Sequence, residues 1–269
     1  MRANEIKRRW QAGEACVNGW CAIPNSFSAE LMAHAGWDSL TIDLQHGLVD
    51  YQAAVTMLQA ISTTAVPPTA RVPWVEPGII MKMLDAGAMG IICPMINTPE
   101  DAAKFVGACK YAPLGYRSSG PTRAVVYAGS DYLSKANEEI LAIAMIETTQ
   151  ALDNLDAILD TPGLDGVYIG PTDLAMTMGA PPVLDPTDKG VVAAIERIID
   201  AANARGLGAG IHCATPEYAS KMIQRGAKLV TIASDGRILA AAAAAAVKAC
   251  KGDNSKAKPA GPGALIKNF

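Results

Sequence analysis

LAIAMIETTQALDNLDAILDTPGLDGVYIGPTDLA, residues 141–175, carries the pattern that decides the fold. It opens with an apolar run, 141–147, that ends on Glu147. A helix-forming stretch, 150–160, and a Thr-Pro-Gly turn follow. A second apolar run, 166–169, then passes through Gly170-Pro171-Thr172-Asp173 into another helical pattern. Neither run alternates apolar with polar residues. Strands buried on both faces read this way, and they belong to parallel sheets covered by helices. Outward from this segment the same unit recurs. Eight strand-like runs are found, at 16–23, 39–43, 69–72, 89–94, 141–147, 166–169, 209–213 and 229–233. Helical spacing or composition follows at 28–35, 51–61, 78–86, 99–111, 150–160, 190–205, 216–225 and 236–251. Gly36, Gly87, Gly206 and Gly226 stand where helices should stop. Eight such units fit an α/β fold of the (β/α)8 (TIM) barrel type better than an open sheet, and no GxGxxG follows the first run.

The sequence has 269 residues, half of them hydrophobic, with 23 basic and 26 acidic residues. Such a chain is not disordered, and its charge offers no footprint for nucleic acid or an anionic membrane. The longest apolar run, 238–247, is ten residues, half of what a membrane span needs. The amino terminus lacks the apolar core of a secretion signal, so a cytoplasmic protein is expected. Six cysteines, without a CxxC, read as buried free thiols rather than disulfides or a thiolate metal site. Residues 1–250 are expected to form one barrel domain and 251–269 a flexible tail, whose apolar end, ALIKNF, could dock on a neighbouring subunit. The interval 94–141 reads as one helix and then a loop, 112–133, long enough to be a lid or binding loop.

A barrel of this type carries its chemistry at the C-terminal ends of its strands. Polar residues gather there. Asp43, Gln45 and His46 follow the second run, Arg71 the third, Glu147 the fifth, Thr172 and Asp173 the sixth, and His212 the seventh. Glu147 and Asp173, on neighbouring strands, would repel each other unless a cation lies between them; Mg²⁺ or Mn²⁺ suits such oxygens. The alternative is that both cap helix N-termini. Arg71 could hold a carboxylate or an enolate oxygen, or form a structural ion pair with Asp43 or Glu147. His46 could be a general acid/base or a satisfied, partly buried histidine. His212 could line the pocket, while His34 lies on a helix. Gly170 to Asp173 offers backbone N–H groups to an anion, or is a plain helix start. No lysine sits at a strand C-terminus, which disfavours Schiff-base chemistry and leaves a metal as the electrophile.

These residues resemble the HpcH/HpaI family of class II, metal-dependent pyruvate aldolases. The likeness is carried by GWCAIPNSFSAELMAHAGWDSLTIDLQHG (19–47), ARVPW (70–74), KMLDAGAMGIICPMINTPEDA (82–102) and the stretch 145–179, and it extends over residues 4 to about 249. The resemblance implies a (β/α)8 barrel, usually in hexamers of dimers that exchange their last helix. The seven alanines at 240–246 would suit that exchange or a plain packed helix. It implies that Glu147 and Asp173 hold a divalent ion, Mg²⁺, Mn²⁺ or Co²⁺, and that Arg71 holds the keto oxygen. His46, partnered by Asp85, would move protons, with Asp43 behind them. The amides of Thr172 and Asp173 would bind the carboxylate. Trp20, Gln45 and His212 would contact substrate.

The chain departs from the family pattern at two positions. Gln45 replaces a common Glu, which removes a negative charge near the metal, and Met145 replaces a common Gln, which makes that wall less polar. The implied reaction cleaves a 4-hydroxy-2-oxo acid, such as 4-hydroxy-2-oxoheptanedioate, to pyruvate and an aldehyde such as succinic semialdehyde. The loop 113–132 and a partner's last helix would select the aldehyde. Two other readings are a citryl- or malyl-CoA-type lyase, for which only Arg117 and Arg123 could meet the phosphates, and a non-catalytic barrel that binds oxo acids.

Overall fold

The computed structural model describes residues 1–251. The expected tail lies outside these residues except for Lys251, which closes the last helix. Eight parallel strands close into a barrel in chain order: β1 (Cys16–Cys21), β2 (Ser39–Asp43), β3 (Pro68–Arg71), β4 (Gly90–Cys93), β5 (Leu141–Ile146), β6 (Gly166–Ile169), β7 (Gly208–Cys213) and β8 (Leu229–Ser234). The helices are α1 (Glu5–Gln11), α2 (Ser26–Ala33), α3 (Tyr51–Ile61), α4 (Pro77–Asp85), α5 (Pro99–Cys109), α6 (Thr122–Ala128), α7 (Tyr132–Glu139), α8 (Thr149–Asp153), α9 (Leu155–Leu159), α10 (Pro171–Thr177), α11 (Lys189–Ala204), α12 (Pro216–Arg225) and α13 (Asp235–Lys251). The expected barrel is therefore present.

Local chemistry explains where the elements start and stop. Asn25, Asp50, Thr148, Asp188 and Thr215 each accept backbone N–H groups at a helix start, and Thr98 with Asp101 forms a reciprocal capping box on α5. Gly226 ends α12 in the left-handed region at φ 109°, a conformation that costs glycine no Cβ clash. β2 and β5 are buried at every residue, as strands covered on both sides must be.

Two regions differ from expectation. The segment 150–160 is broken at Asn154 into α8 and α9. The interval 94–141 holds α6 and α7 beyond α5, and it does not form a lid. From the end of α5 onward its cations Lys110, Arg117 and Arg123 are tied to the N-terminal end of the barrel. Arg117 pairs with Asp85 at 2.7 Å, and Arg123 donates to the Ala86 carbonyl at 2.6 Å. Lys110 bonds Asp165 at 2.8 Å and the Ile140 carbonyl at 2.6 Å. Asp85, Ile140 and Asp165 all precede strands, so this connector supports the end opposite to the rim of catalytic candidates.

The barrel interior has three levels. At the N-terminal end α1 acts as a plug. Ile6 is buried with Leu141, Ile143 and Leu229, and Trp10 lies over the start of β7 with its Nε1–H donating to the Lys228 carbonyl. The middle is polar: Asn18 donates to Thr41 and Thr231 at 3.0 and 2.9 Å and accepts from Ser39 at 2.8 Å, while Thr41 and Thr69 share a 2.7 Å bond. Trp20, Met145 and Tyr168 form the upper level, under the C-terminal rim. Trp10 packs this closely because residue 208 has no side chain; a Cβ there would fall 2.3 Å from two carbons of the indole. Gly208→Ala is expected to destabilise the protein by about 1–3 kcal/mol through overpacking. The measurement is a thermal melt, with a lower Tm and unchanged activity per folded molecule. An unchanged Tm would refute this account of the plug.

Among the described residues no helix is long and apolar enough to cross a membrane. Cys16, Cys21, Cys93, Cys109 and Cys213 are buried free thiols and Cys250 is an exposed one. Burial pushes the Cys16 and Cys109 thiols up to about 12, which keeps them protonated and unreactive.

Candidate active site

A cavity of about 890 Å³ opens at the C-terminal ends of the strands. Trp20, Asp43, His46, Arg71, Glu147, Thr172, Asp173 and His212 line it, as does the departing residue Met145. Eight of the ten residues singled out from the sequence thus share one space.

Asp43 organises one wall. It accepts from Arg71 Nε at 2.8 Å and Nη2 at 2.6 Å, from Trp20 Nε1 at 3.1 Å, and from the backbone N–H of Gln45 and His46 at 3.0 and 3.3 Å. Burial alone would raise its pKa, but the Arg71 fork and the other donors outweigh that and hold it below the ordinary carboxylate range. The structural ion pair weighed for Arg71 is formed, and it leaves Nη1 without a hydrogen bond among the described residues. The guanidinium also lies 4.8 Å from the centre of the Trp20 ring. Paired on one edge and stacked on one face, it is held still with its remaining amino group free for an anion.

Glu147 stands across the cavity at the end of β5, 3% exposed. Its Oε1 accepts from the backbone N–H of Met95 at 2.8 Å. Met95 reaches this position with φ 55°, a left-handed conformation that costs a non-glycine residue about 1 kcal/mol or more. Gly170 leaves room for the other oxygen: a Cβ there would stand 2.4 Å from Oε2. Burial first, and then repulsion from Asp173, push the Glu147 carboxyl up to about 7, although the Met95 amide pulls the other way. The helix-cap alternative does not apply to either acid. Thr148 caps α8, and Asp173 lies inside the first turn of α10, which has no side-chain cap. The backbone N–H groups of Thr172 and Asp173 make no hydrogen bond among the described residues.

His212 bonds Tyr168 through Nδ1 at 3.1 Å, and Tyr168 donates to Thr231 at 2.7 Å. Burial and then the nearby Arg71 charge hold the imidazole down at about 3, so His212 is neutral at physiological pH. His46 is exposed at the rim.

Two expectations are corrected. Asp85 is not beside His46 in this chain, because it ends α4 at the opposite end of the barrel, paired with Arg117. Gln45 does not line the cavity. Its backbone is drawn into the turn on Asp43, and its side-chain oxygen is buried without a hydrogen-bond partner among the described residues. The sequence reading missed Pro182, Val183, Leu184 and Asp185 at the mouth, together with Tyr168, Ser234 and Arg237. Arg237 follows an apolar strand end by three residues, a signal that could have placed it there.

A closed barrel with paired acids and an anchored arginine at its C-terminal rim is the arrangement of a (β/α)8-barrel enzyme. The chain belongs to the HpcH/HpaI aldolase/citrate lyase family, whose model matches residues 19–242. It is 41% identical over 240 residues to a hydroxypyruvate/pyruvate aldolase of Rhizorhabdus wittichii, covering 89% of this chain and 96% of that one. It is 37% identical over 245 residues to the 4-hydroxy-2-oxo-heptane-1,7-dioate aldolase of Escherichia coli, covering 90% and 93%. An HpcH/HpaI family protein from Burkholderia cenocepacia superposes with a TM-score of 0.86 at 30% identity, over 93% of this chain and all of that one. The family and these named relatives are carbon–carbon lyases of the aldolase type, so the chain is an enzyme and not a sensor barrel.

Proposed function

We propose that this chain is a divalent-metal-dependent pyruvate aldolase that cleaves 4-hydroxy-2-oxo acids to pyruvate and an aldehyde, and runs the addition in reverse. The observation that carries the reading is the placement of Glu147, Asp173 and the free edge of Arg71 on one cavity. The relatives named above, a hydroxypyruvate/pyruvate aldolase and a 4-hydroxy-2-oxo-heptane-1,7-dioate aldolase, support it.

The donor set fits a hard cation. Glu147 is ionised at a cost in its buried position, and Asp173 adds to that cost. A divalent ion held by the two carboxylates would relieve both effects. Among the described residues no third His, Cys, Asp or Glu joins them in a cluster, so the two carboxylates would be the ion's only side-chain ligands of these types. Mg²⁺ and Mn²⁺ suit such oxygens, and Co²⁺ is also accommodated. When bound, the ion supplies Lewis acidity at the keto group.

The chain's own groups do the rest. The free N–H groups of Thr172 and Asp173 receive the carboxylate at the start of α10. His46 takes the C4 hydroxyl proton as the C3–C4 bond breaks and the C4 oxygen becomes the aldehyde carbonyl. The bond's electron pair passes to C3 and on to the keto oxygen, forming an enolate. Arg71 Nη1 faces the charge that develops on that oxygen, and a proton returned to C3 completes pyruvate. Trp20 and Met145, both buried, form a largely apolar floor whose low polarity strengthens these contacts.

The CoA-lyase alternative loses support from the structure. Arg117 and Arg123, the two loop residues considered for the CoA phosphates, are bound to Asp85 and to the Ala86 carbonyl at the far end of the barrel. A homo-oligomer, a hexamer built of dimers, completes the proposal. Its support is α13, which is exposed over 241–251 and rich in alanine, a surface that lets a second copy approach closely. The buried free thiols favour a reducing, cytoplasmic setting. The test couples pyruvate release from a panel of 4-hydroxy-2-oxo acids to lactate dehydrogenase. Release is expected with added Mg²⁺ or Mn²⁺ and is expected to vanish in EDTA; full activity in EDTA would overturn the metal-dependent reading.

A further inference from the structure

One cation of the cavity has no place in the mechanism above. Arg237 lines the mouth beside His212, Ala214 and Ser234, on the β7–β8 side of the ring. The carboxylates that would hold the metal stand on β5 and β6. Among the described residues the Arg237 guanidinium makes no ion pair and no hydrogen bond, although it is only partly exposed. The other charges on this side are accounted for. Asp185 accepts from the Ala214 amide at 2.8 Å and from Thr215 Oγ1 at 2.7 Å, and His212 is neutral. The guanidinium of Arg71 is anchored by Asp43.

The backbone that carries Arg237 is held firmly. The β1–β8 register shifts between Asn18 and Trp20, and Ala233 adopts φ 53° there. A bulge of this kind re-aims the strand end, and here it delivers Ser234 to the cavity. The next residue, Asp235, is buried and accepts from the backbone N–H groups of Ala22 and Ile23 at 2.9 and 3.2 Å and from Ser28 Oγ at 3.3 Å. This clamp ties the first turn of α13 to the loop after β1. A partly desolvated guanidinium on a fixed backbone, without an anionic partner among the described residues and on the β7–β8 side of the cavity rather than beside the β5 and β6 carboxylates, is suited to an anion carried by the part of the substrate that extends away from them.

We infer that Arg237 is a specificity-determining residue: it receives the distal carboxylate of the aldehyde half, so the enzyme favours short aldehydes ending in a carboxylate over neutral ones of equal length. The inference rests on the aldolase reading. The experiment measures kcat/KM for addition of pyruvate to succinic semialdehyde and to butanal. A charged hydrogen bond of the usual strength corresponds to roughly a tenfold to hundredfold preference for the anionic aldehyde. Arg237→Met is expected to bring that ratio close to one, and Arg237→Lys to restore part of it. A ratio near one in the unaltered enzyme, or a ratio that survives Arg237→Met, overturns the inference. Exchange of the pyruvate methyl protons with deuterated solvent needs enolate formation but no aldehyde. Exchange without charge preference refutes the role of Arg237 and leaves the aldolase standing, whereas absence of both exchange and addition refutes the aldolase reading itself.

Discussion

Glu147→Gln is expected to lower the rate of pyruvate release by about a thousandfold or more, because it removes half of the carboxylate pair proposed to hold the divalent ion. The same substitution should act on stability with the opposite sign. The Glu147 carboxyl titrates at about 7 in the folded protein against an ordinary 4.5. Between those values the native state binds more protons than the unfolded state, so this group's contribution falls as pH rises through the window. Above pH 7 it is ionised in both states, and the full penalty of about 3 kcal/mol remains. In EDTA at pH 8 the Gln variant should therefore unfold at higher denaturant than the unaltered protein, with the difference shrinking toward pH 4.5. Urea midpoints at the two pH values measure this. A variant no more stable at pH 8 than at pH 4.5, relative to the unaltered protein, would show that Glu147 is not strained by its burial.

Arg71→Ala is the second large effect. It removes the group that faces the developing enolate charge, and loss of one such donor costs roughly a hundred- to a thousandfold in kcat. It also leaves Asp43, buried beneath Trp20, without the fork that lowers its pKa. Arg71→Lys is expected to recover little. An ammonium is a single point and cannot hold both Asp43 oxygens while also presenting a free donor to the cavity. Steady-state kinetics of both variants decide the matter. A lysine variant within tenfold of the unaltered kcat would show that the planar, two-point anchorage on Asp43 is dispensable.

The barrel was legible because its signal is local and repeated. Runs such as LAIAMI are apolar on both faces, and glycines such as Gly226 stop the helices. Most of the rim was legible for a related reason: an ionisable residue that follows a buried strand stands out, as Glu147, Arg71 and His212 do. What escaped depends on distant contacts. Lys110 looks like a helix-end cation and Arg117 and Arg123 like loop cations, yet they bond Asp165, just before β6, and Asp85 and Ala86, at the end of α4. No spacing rule foretells such pairs. The helices α6 and α7 were hidden by Gly120, Pro121 and Gly129, which read as loop punctuation. Arg237 was hidden by the alanine run behind it, which drew the eye to membrane length and helix propensity. The left-handed Met95 and Ala233 carry no sequence signal, because neither residue type prefers that conformation.

The polar middle of the barrel also bears on how the chain is made. Asn18 reaches Thr41 on the neighbouring strand after 23 residues, but its other partner, Thr231, comes 213 residues later. A chain emerging from the ribosome holds that amide ready almost from the start and meets its second acceptor only when β8 has been synthesised. The seam between the first and last strands is thus the last to be sealed in synthesis order, and contacts of such separation make folding slow. Once sealed, the seam joins the two ends of the barrel chain directly beneath Trp20, so integrity of the whole fold and readiness of the catalytic floor arrive in the same event.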